Sequence, residues 1–227
     1  KDLAMLDVLA TSNWERPLYV NNTSLSQFNV DLSRYVVQEG NAYRILPIYN
    51  PRQFNQSELV NTKVSYENML KKFQFRNLDN PNVYYNQDYR NFVLNHRSSF
   101  NSLAEALIQQ GDLEKAREVL LFALTKMPDA SIPYDYTNAQ TVSMLFEVGE
   151  KEKALEISNV MSKRADELAT YYIEKRDFGR ELQVNVVILG ELQRVLYQYG
   201  EAELAKKIEE NYEKHAAVLQ TGGNRSN

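Results

Sequence analysis

The chain has 227 residues, a net charge of −4, 43% hydrophobic side chains and no cysteine. That length is enough for one large or two small domains, and the apolar content is enough for a real core. There is no basic stripe to neutralise phosphates or seat the chain on anionic lipid, and the lack of thiols excludes disulfides, thiolate metal sites and cysteine nucleophiles.

Leu3, Leu6, Val8, Leu9 and Ala10 predict a short helix ending near Ser12, before Arg16-Pro17. Leu18-Tyr19-Val20 follows as a short strand, and Asn21 to Asn29 as a polar loop. Gly40 punctuates the chain ahead of a second strand over Ala42 to Tyr49. Two strands alone are marginal, so they are expected to pack on helices as a small α/β cap. Residues 51–62 read as polar linker, and Ser65 to Phe75 as a helix with Met69, Leu70 and Phe73 inward. Asp79-Asn80-Pro81 is a turn, because Asn suits turn geometry and Pro fixes φ.

From about Gln87 the pattern is helical throughout. Ala116, Val119, Leu120, Ala123, Leu124 and Met127 form one apolar stripe, which Pro128 stops. Tyr134 to Val148 and Lys151 to Lys175 predict a second hairpin, and Leu182 to Tyr199 and Glu201 to Leu219 a third. Gly222-Gly223 and the polar residues after them are expected to be disordered. These divisions make residues 1–86 a cap and linker, 87–219 helical repeats and 220–227 a tail.

The hairpin turns carry an internal echo. Gln110-Gly111-Asp112-Leu113-Glu114-Lys115-Ala116 returns as Val148-Gly149-Glu150-Lys151-Glu152-Lys153-Ala154, and more faintly as Tyr199-Gly200-Glu201-Ala202-Glu203-Leu204-Ala205. Residues Arg97 to Pro128 resemble a tetratricopeptide repeat: small Ala104 in the first helix, Gly111 at the turn, Ala116 and Ala123 in the second helix, and a closing Pro. Small residues are needed where paired helices cross closely. The later copies depart from this pattern, with Met161 and Tyr212 at small-residue positions and no closing Pro. Their turn glycines lie 38 and 51 residues apart, so the hairpins are expected to stack irregularly. The resemblance implies that the first helix of each hairpin lines a concave partner groove. Matching the repeat register places Asn101, Glu105, Tyr136, Ser143, Phe146, Arg194 and Tyr197 there.

A second resemblance rests on Asp7-Val8-Leu9-Ala10-Thr11-Ser12-Asn13-Trp14-Glu15-Arg16-Pro17-Leu18-Tyr19, on Glu39 to Pro47, and on Asp79-Asn80-Pro81 ahead of helical repeats. This arrangement is similar to the C-terminal part of a family of bacterial multi-pass membrane proteins, formerly of unknown function and similar to protein O-mannosyltransferases of the GT-C class. The resemblance implies a position on the periplasmic side of the inner membrane. It also implies an upstream membrane domain that holds the catalytic acid, so no catalytic residue carries over to this numbering. The opening on Lys1 rather than Met fits an excised piece. Within the piece, no apolar run approaches the roughly 18 residues needed to span a bilayer.

Other candidate sites are few. His96 and His215 are the only histidines, and they stand too far apart for a zinc set or a serine-type triad. Glu150/Glu152 and Glu201/Glu203 sit at helix starts, where they offset the macrodipole. No phosphate loop or cofactor motif occurs. The sequons at Asn21, Asn22, Asn55 and Asn224 mark polar loops. Trp14 reads first as a junction residue; the alternative is a sugar-stacking platform with Arg16 and Arg44 beside it. The 15 tyrosines are expected mainly at packing junctions. The sequence therefore predicts a mainly α chain with tetratricopeptide-like hairpins and a small α/β cap. Its expected role is non-catalytic and free of metal and cofactor, binding a polypeptide or subunit partner rather than nucleic acid. Two alternatives stand beside it: a carbohydrate-handling module and a structural lid on the membrane part.

Overall fold

The computed structural model describes residues 2–25, 27–50 and 59–222. The expected 51–58 stretch of linker and the tail beyond 222 lie outside the described residues. The chain is mainly helical with one small antiparallel sheet, and divides between Ile132 and Pro133 into two compact units. The first helical hairpin therefore clusters with the N-terminal elements, whereas the sequence drew the line ahead of it, at 86/87.

In the first unit, helix α1 (Asp2–Thr11) leads to strands β1 (Tyr19–Asn21), β2 (Val36–Gln38) and β3 (Ala42–Ile45), in the order β1-β3-β2. Tyr19 pairs with Arg44 on one side of β3, and Val36 pairs with Ile45 on the other. Strand alternation turns Tyr43 and Ile45 inward with Val36 and Leu32, and Met5 and Leu9 of α1 pack against them. The second strand stops at Ile45 rather than Tyr49, because Pro47 has no N–H to donate to a ladder. Strand β2 went unread in the sequence, and the expected Asn21–Asn29 loop holds a short helix α2 (Asn22–Leu25). Both are too short for a periodic signal.

Gly40 and Asn41 form the two-residue turn of the β2–β3 hairpin. Gly40 sits at φ +89°, open to glycine at little cost. A buried polar knot fixes this turn: the Gly40 N–H donates to Ser65 Oγ (2.9 Å), and Gln38 Nε2 donates to the Gly40 carbonyl (2.9 Å). Ser65 belongs to helix α3 (Thr62–Glu67), which is capped by the Asn61 side chain. The expected 65–75 helix thus starts earlier, widens into a π turn over Asn68–Lys72 and ends at Phe73.

Helices α4 (Gln87–Gln109) and α5 (Leu113–Lys126) form the first hairpin, each capped by an acceptor side chain, Asn86 and Asp112. Phe100, Leu103, Ala104, Leu107, Ala116 and Leu120 fill their contact. Buried Arg97 closes the hairpin's far end. Its Nη2 donates to the carbonyls of Met127 (3.1 Å) and Ile132 (2.7 Å), where α5 has stopped before Pro128.

The second unit consists of α6 (Thr137–Glu147), α7 (Lys151–Glu174), α8 (Arg180–Gln198) and α9 (Ala202–Gly222). Helix α9 continues through the expected start of the tail at 220. Each helix packs on the next, with additional α6–α8 and α7–α9 contact. Helix α6 starts at Thr137, because Asp135 accepts the Thr137 N–H (2.8 Å) and defines the first turn. Gly111, Gly149 and Gly200 all lie at positive φ in the turns joining consecutive helices. Each turn has the two crossed bonds of a glycine C-cap, such as Asp112 N–H to Leu107 C=O (2.9 Å) and Gly111 N–H to Ile108 C=O (2.9 Å). Helix α7 ends the same way without a glycine. Arg176 takes φ +56°, and Asp177 N–H reaches Tyr172 C=O (2.9 Å).

Bulky Tyr212 is accommodated by compensation. Tyr212 of α9 lies over Gly190 of α8, where an added Cβ would sit 3.0 Å from the ring. The small residue the pattern lacks on one helix is supplied by its neighbour.

Candidate interaction surfaces

The expected groove residues fall into both units. Asn101 and Glu105, both on α4, belong to the first; Asn101 is buried and Glu105 is half-buried. The others belong to the second unit. Ser143 and Phe146 of α6 meet Tyr199, the residue that follows α8. The Phe146 and Tyr199 rings stack at 4.7 Å with 12° between planes. The Tyr199 hydroxyl donates to Glu147 Oε1 (3.1 Å) and lies 3.5 Å from Ser143 Oγ. The chain's own Tyr199 therefore covers the part of α6 that was expected to face a partner. Tyr136 stays exposed at the start of α6. Arg194 pairs with Glu191 one helical turn away (2.8 Å), and Tyr197 donates its hydroxyl to Glu209 of α9 (2.6 Å), both near the surface.

The three residues weighed as glycan contacts also separate. Trp14 is 42% exposed and stands with Asn13 in a left-handed turn after α1, at φ +58° and +47°. A bulky residue held there is strained, and such strain gathers where a side chain must be presented. Arg16 is exposed nearby. Arg44 approaches Glu39 (3.7 Å), a buried carboxylate that also accepts from the Tyr19 hydroxyl (2.7 Å). That hydrogen bond raises the Tyr19 pKa above the usual phenol value.

Neither histidine joins a metal set; among the described residues, no three His, Asp or Glu side chains converge. His215 is fully buried on α9, with its Nε2 against Asp166 Oδ1 of α7 (2.6 Å) and its Nδ1 enclosed without a partner. Nε2 is the ring nitrogen placed to donate to the Asp166 carboxylate. This contact pins α7 to α9.

The structural-lid alternative requires an exposed apolar patch on the cap, and α1 carries one that the sequence did not locate. Helix α1 is apolar around nearly its whole circumference and contains no buried residue. Met5 and Leu9 turn to the sheet, while Leu3 (83% exposed), Leu6 and Val8 face away from it. A helix greasy on every side is ordinarily enclosed. A test for two-sided apolarity, rather than for a single stripe, would have found it.

The chain is mainly helical, and its small sheet carries a helix whose outer apolar face is exposed. Residues 1–64, which hold α1, the sheet and the start of α3, match the membrane-protein-associated family described as TMEM260-associated domain 2. No curated protein and no solved structure matches the chain. No helix among the described residues is long and apolar enough to cross a membrane.

Proposed function

We propose that this chain is a non-catalytic accessory domain of a glycosyltransferase-like membrane protein, on the periplasmic side of the inner membrane. In this proposal the outer face of α1 seats the domain against the membrane-embedded part, and the helical, tetratricopeptide-like hairpins hold a polypeptide acceptor or a partner subunit. The carrying observation is the two-sided apolar α1, with Leu3, Leu6 and Val8 exposed inside the segment that matches a membrane-protein-associated family. Covering such a face would recover about 25 cal/mol for each Å² of apolar surface, enough to matter for a tethered domain.

The test is site-specific photocrosslinking in the protein within its own membrane, with a photoreactive side chain at Leu6 and, as control, at exposed Glu114. Crosslinks from position 6 to a membrane-embedded polypeptide are expected. Equal crosslinking from both positions refutes the seat on α1. Partner recovery by Tyr136→Ala/Arg194→Ala, two residues that stay exposed, compared with the unaltered chain, tests the scaffold role separately, and equal recovery removes the hairpin groove.

A second reading, a carbohydrate-handling module, is supported by the exposed Trp14 ring beside Arg16. It requires saturable quenching of the single tryptophan by oligosaccharide.

A further inference from the structure

An open recess of about 440 Å³ lies in the first unit, between the β2–β3 turn, the loop after the π turn and helix α4. It is remote in sequence from α1 and does not depend on the docking proposal. Its apolar wall is Phe73 and Phe75. The Phe73 ring abuts Gly40, where an added Cβ would sit 3.0 Å from Cζ. Phe75 packs edge-on against the His96 ring at 6.3 Å and is held from behind by Phe100 and Phe122. Phe75 is thus packed in place before any ligand arrives, while Phe73 keeps a more exposed face.

The polar side chains at the recess are Asn41, Gln74, Arg76 and His96. Asn41 Nδ2 lies 2.6 Å from His96 Nδ1. The amide is oriented with its N–H toward the ring, because the reverse would enclose two unsatisfied N–H groups in place of the single orphaned Oδ1. Nδ1 is then an acceptor, and the neutral ring carries its proton on Nε2. Burial, which lowers the His96 pKa, favours the same neutral form. His96 Nε2 is neither paired nor enclosed. At the rim, Arg76 donates from Nε to Gln74 Oε1 (3.0 Å), and among the described residues no carboxylate neutralises its guanidinium.

Two phenyl rings, an imidazole N–H and an unneutralised guanidinium in one recess ask for an acceptor-rich anion on an apolar body. We propose that this recess binds a small aryl- or alkyl-carboxylate, the carboxylate accepting from Arg76 and His96 Nε2–H and the apolar body lying on Phe73 and Phe75. Asn41 is a positioning residue: it fixes the His96 tautomer and touches no ligand.

The test titrates the full chain, labelled with ¹⁵N at histidine, with 3-phenylpropionate and with its uncharged analogue 3-phenylpropan-1-ol. His215, buried in the other unit, is the internal control. A saturable shift of the His96 Nε2 resonance in the low-millimolar range is expected, with His215 unmoved. The alcohol, and the acid on Arg76→Gln, should each bind roughly tenfold more weakly, as loss of a charge-assisted contact implies. Arg76 is exposed, so its replacement leaves folding intact. No saturable response at His96, or equal affinity for acid and alcohol, or an unchanged affinity in Arg76→Gln overturns the assignment.

Discussion

Replacing Arg176 with glycine should stabilise the protein, although no contact is gained. Arg176 ends α7 at φ +56°, its side chain is exposed, and its neighbours make the same crossed bonds as the three glycine turns. An L-residue in the left-handed region costs roughly 1–2 kcal/mol. Glycine relieves that strain but loses roughly 0.5–1 kcal/mol more backbone entropy on folding. The net expectation is a gain of about 0.5–1 kcal/mol for Arg176→Gly. Arg176→Ala, which keeps the Cβ and the strain, should stay within about 0.3 kcal/mol of the parent, as surface changes usually do. Gly111→Ala supplies the converse. Nothing lies within 4 Å of its added Cβ, so only the backbone term acts, and a loss of about 1 kcal/mol is expected. Urea denaturation followed by far-UV circular dichroism, compared at a common m-value, resolves these differences. If Arg176→Gly is no more stable than Arg176→Ala, the strain argument is wrong.

Three further outcomes follow from the packing. Arg97→Leu strips two buried carbonyls of a charged donor and should cost roughly 3 kcal/mol or more in urea midpoint analysis; a loss below about 1 kcal/mol would mean water replaces the guanidinium. Gly190→Val forces a branched side chain into the Tyr212 ring and should destabilise by about 1–3 kcal/mol, whereas Gly190→Val/Tyr212→Ala should recover part of that loss. The lowered His96 pKa carries a definite sign. The unfolded chain takes up a proton near the ordinary value of 6.5 while the folded ring stays neutral, so stability falls as pH drops below 6.5 and levels off once the folded pKa is passed. Denaturation midpoints from pH 8 to 5 should therefore decline more in the parent than in His96→Gln; parallel curves would contradict the buried neutral ring.

Much of the helical half was legible because its signals are local. The stripe from Ala116 to Met127 repeats every three or four residues, and Gly111, Gly149 and Gly200 mark turns that only glycine makes cheaply. Strand β2 was not legible, because three residues cannot show a period and its pairing with β3 is set by a turn at Gly40. The α7 cap at Arg176 was invisible for the opposite reason: its geometry is that of a glycine turn, yet the residue is not glycine.

The candidate site divides along the same line. Repeat register assigned Ser143 and Phe146 to an open face, but register says nothing of a side chain arriving from another helix end. Tyr199 lies on Phe146 because α8 packs on α6. The chemistry of His96 depends on Asn41, 55 positions away, and on rings drawn from three segments of chain.

By itself, the order of amino acids determined the helical hairpins, the place of their turns and the mixed N-terminal cap, since propensity, periodicity and glycine geometry act over a few residues. Only tertiary packing decided which face of α1 stays uncovered, which groove residues are claimed by a neighbour and which donors converge on one recess. Those outcomes depend on distances between segments far apart in the chain, and no local pattern encodes them.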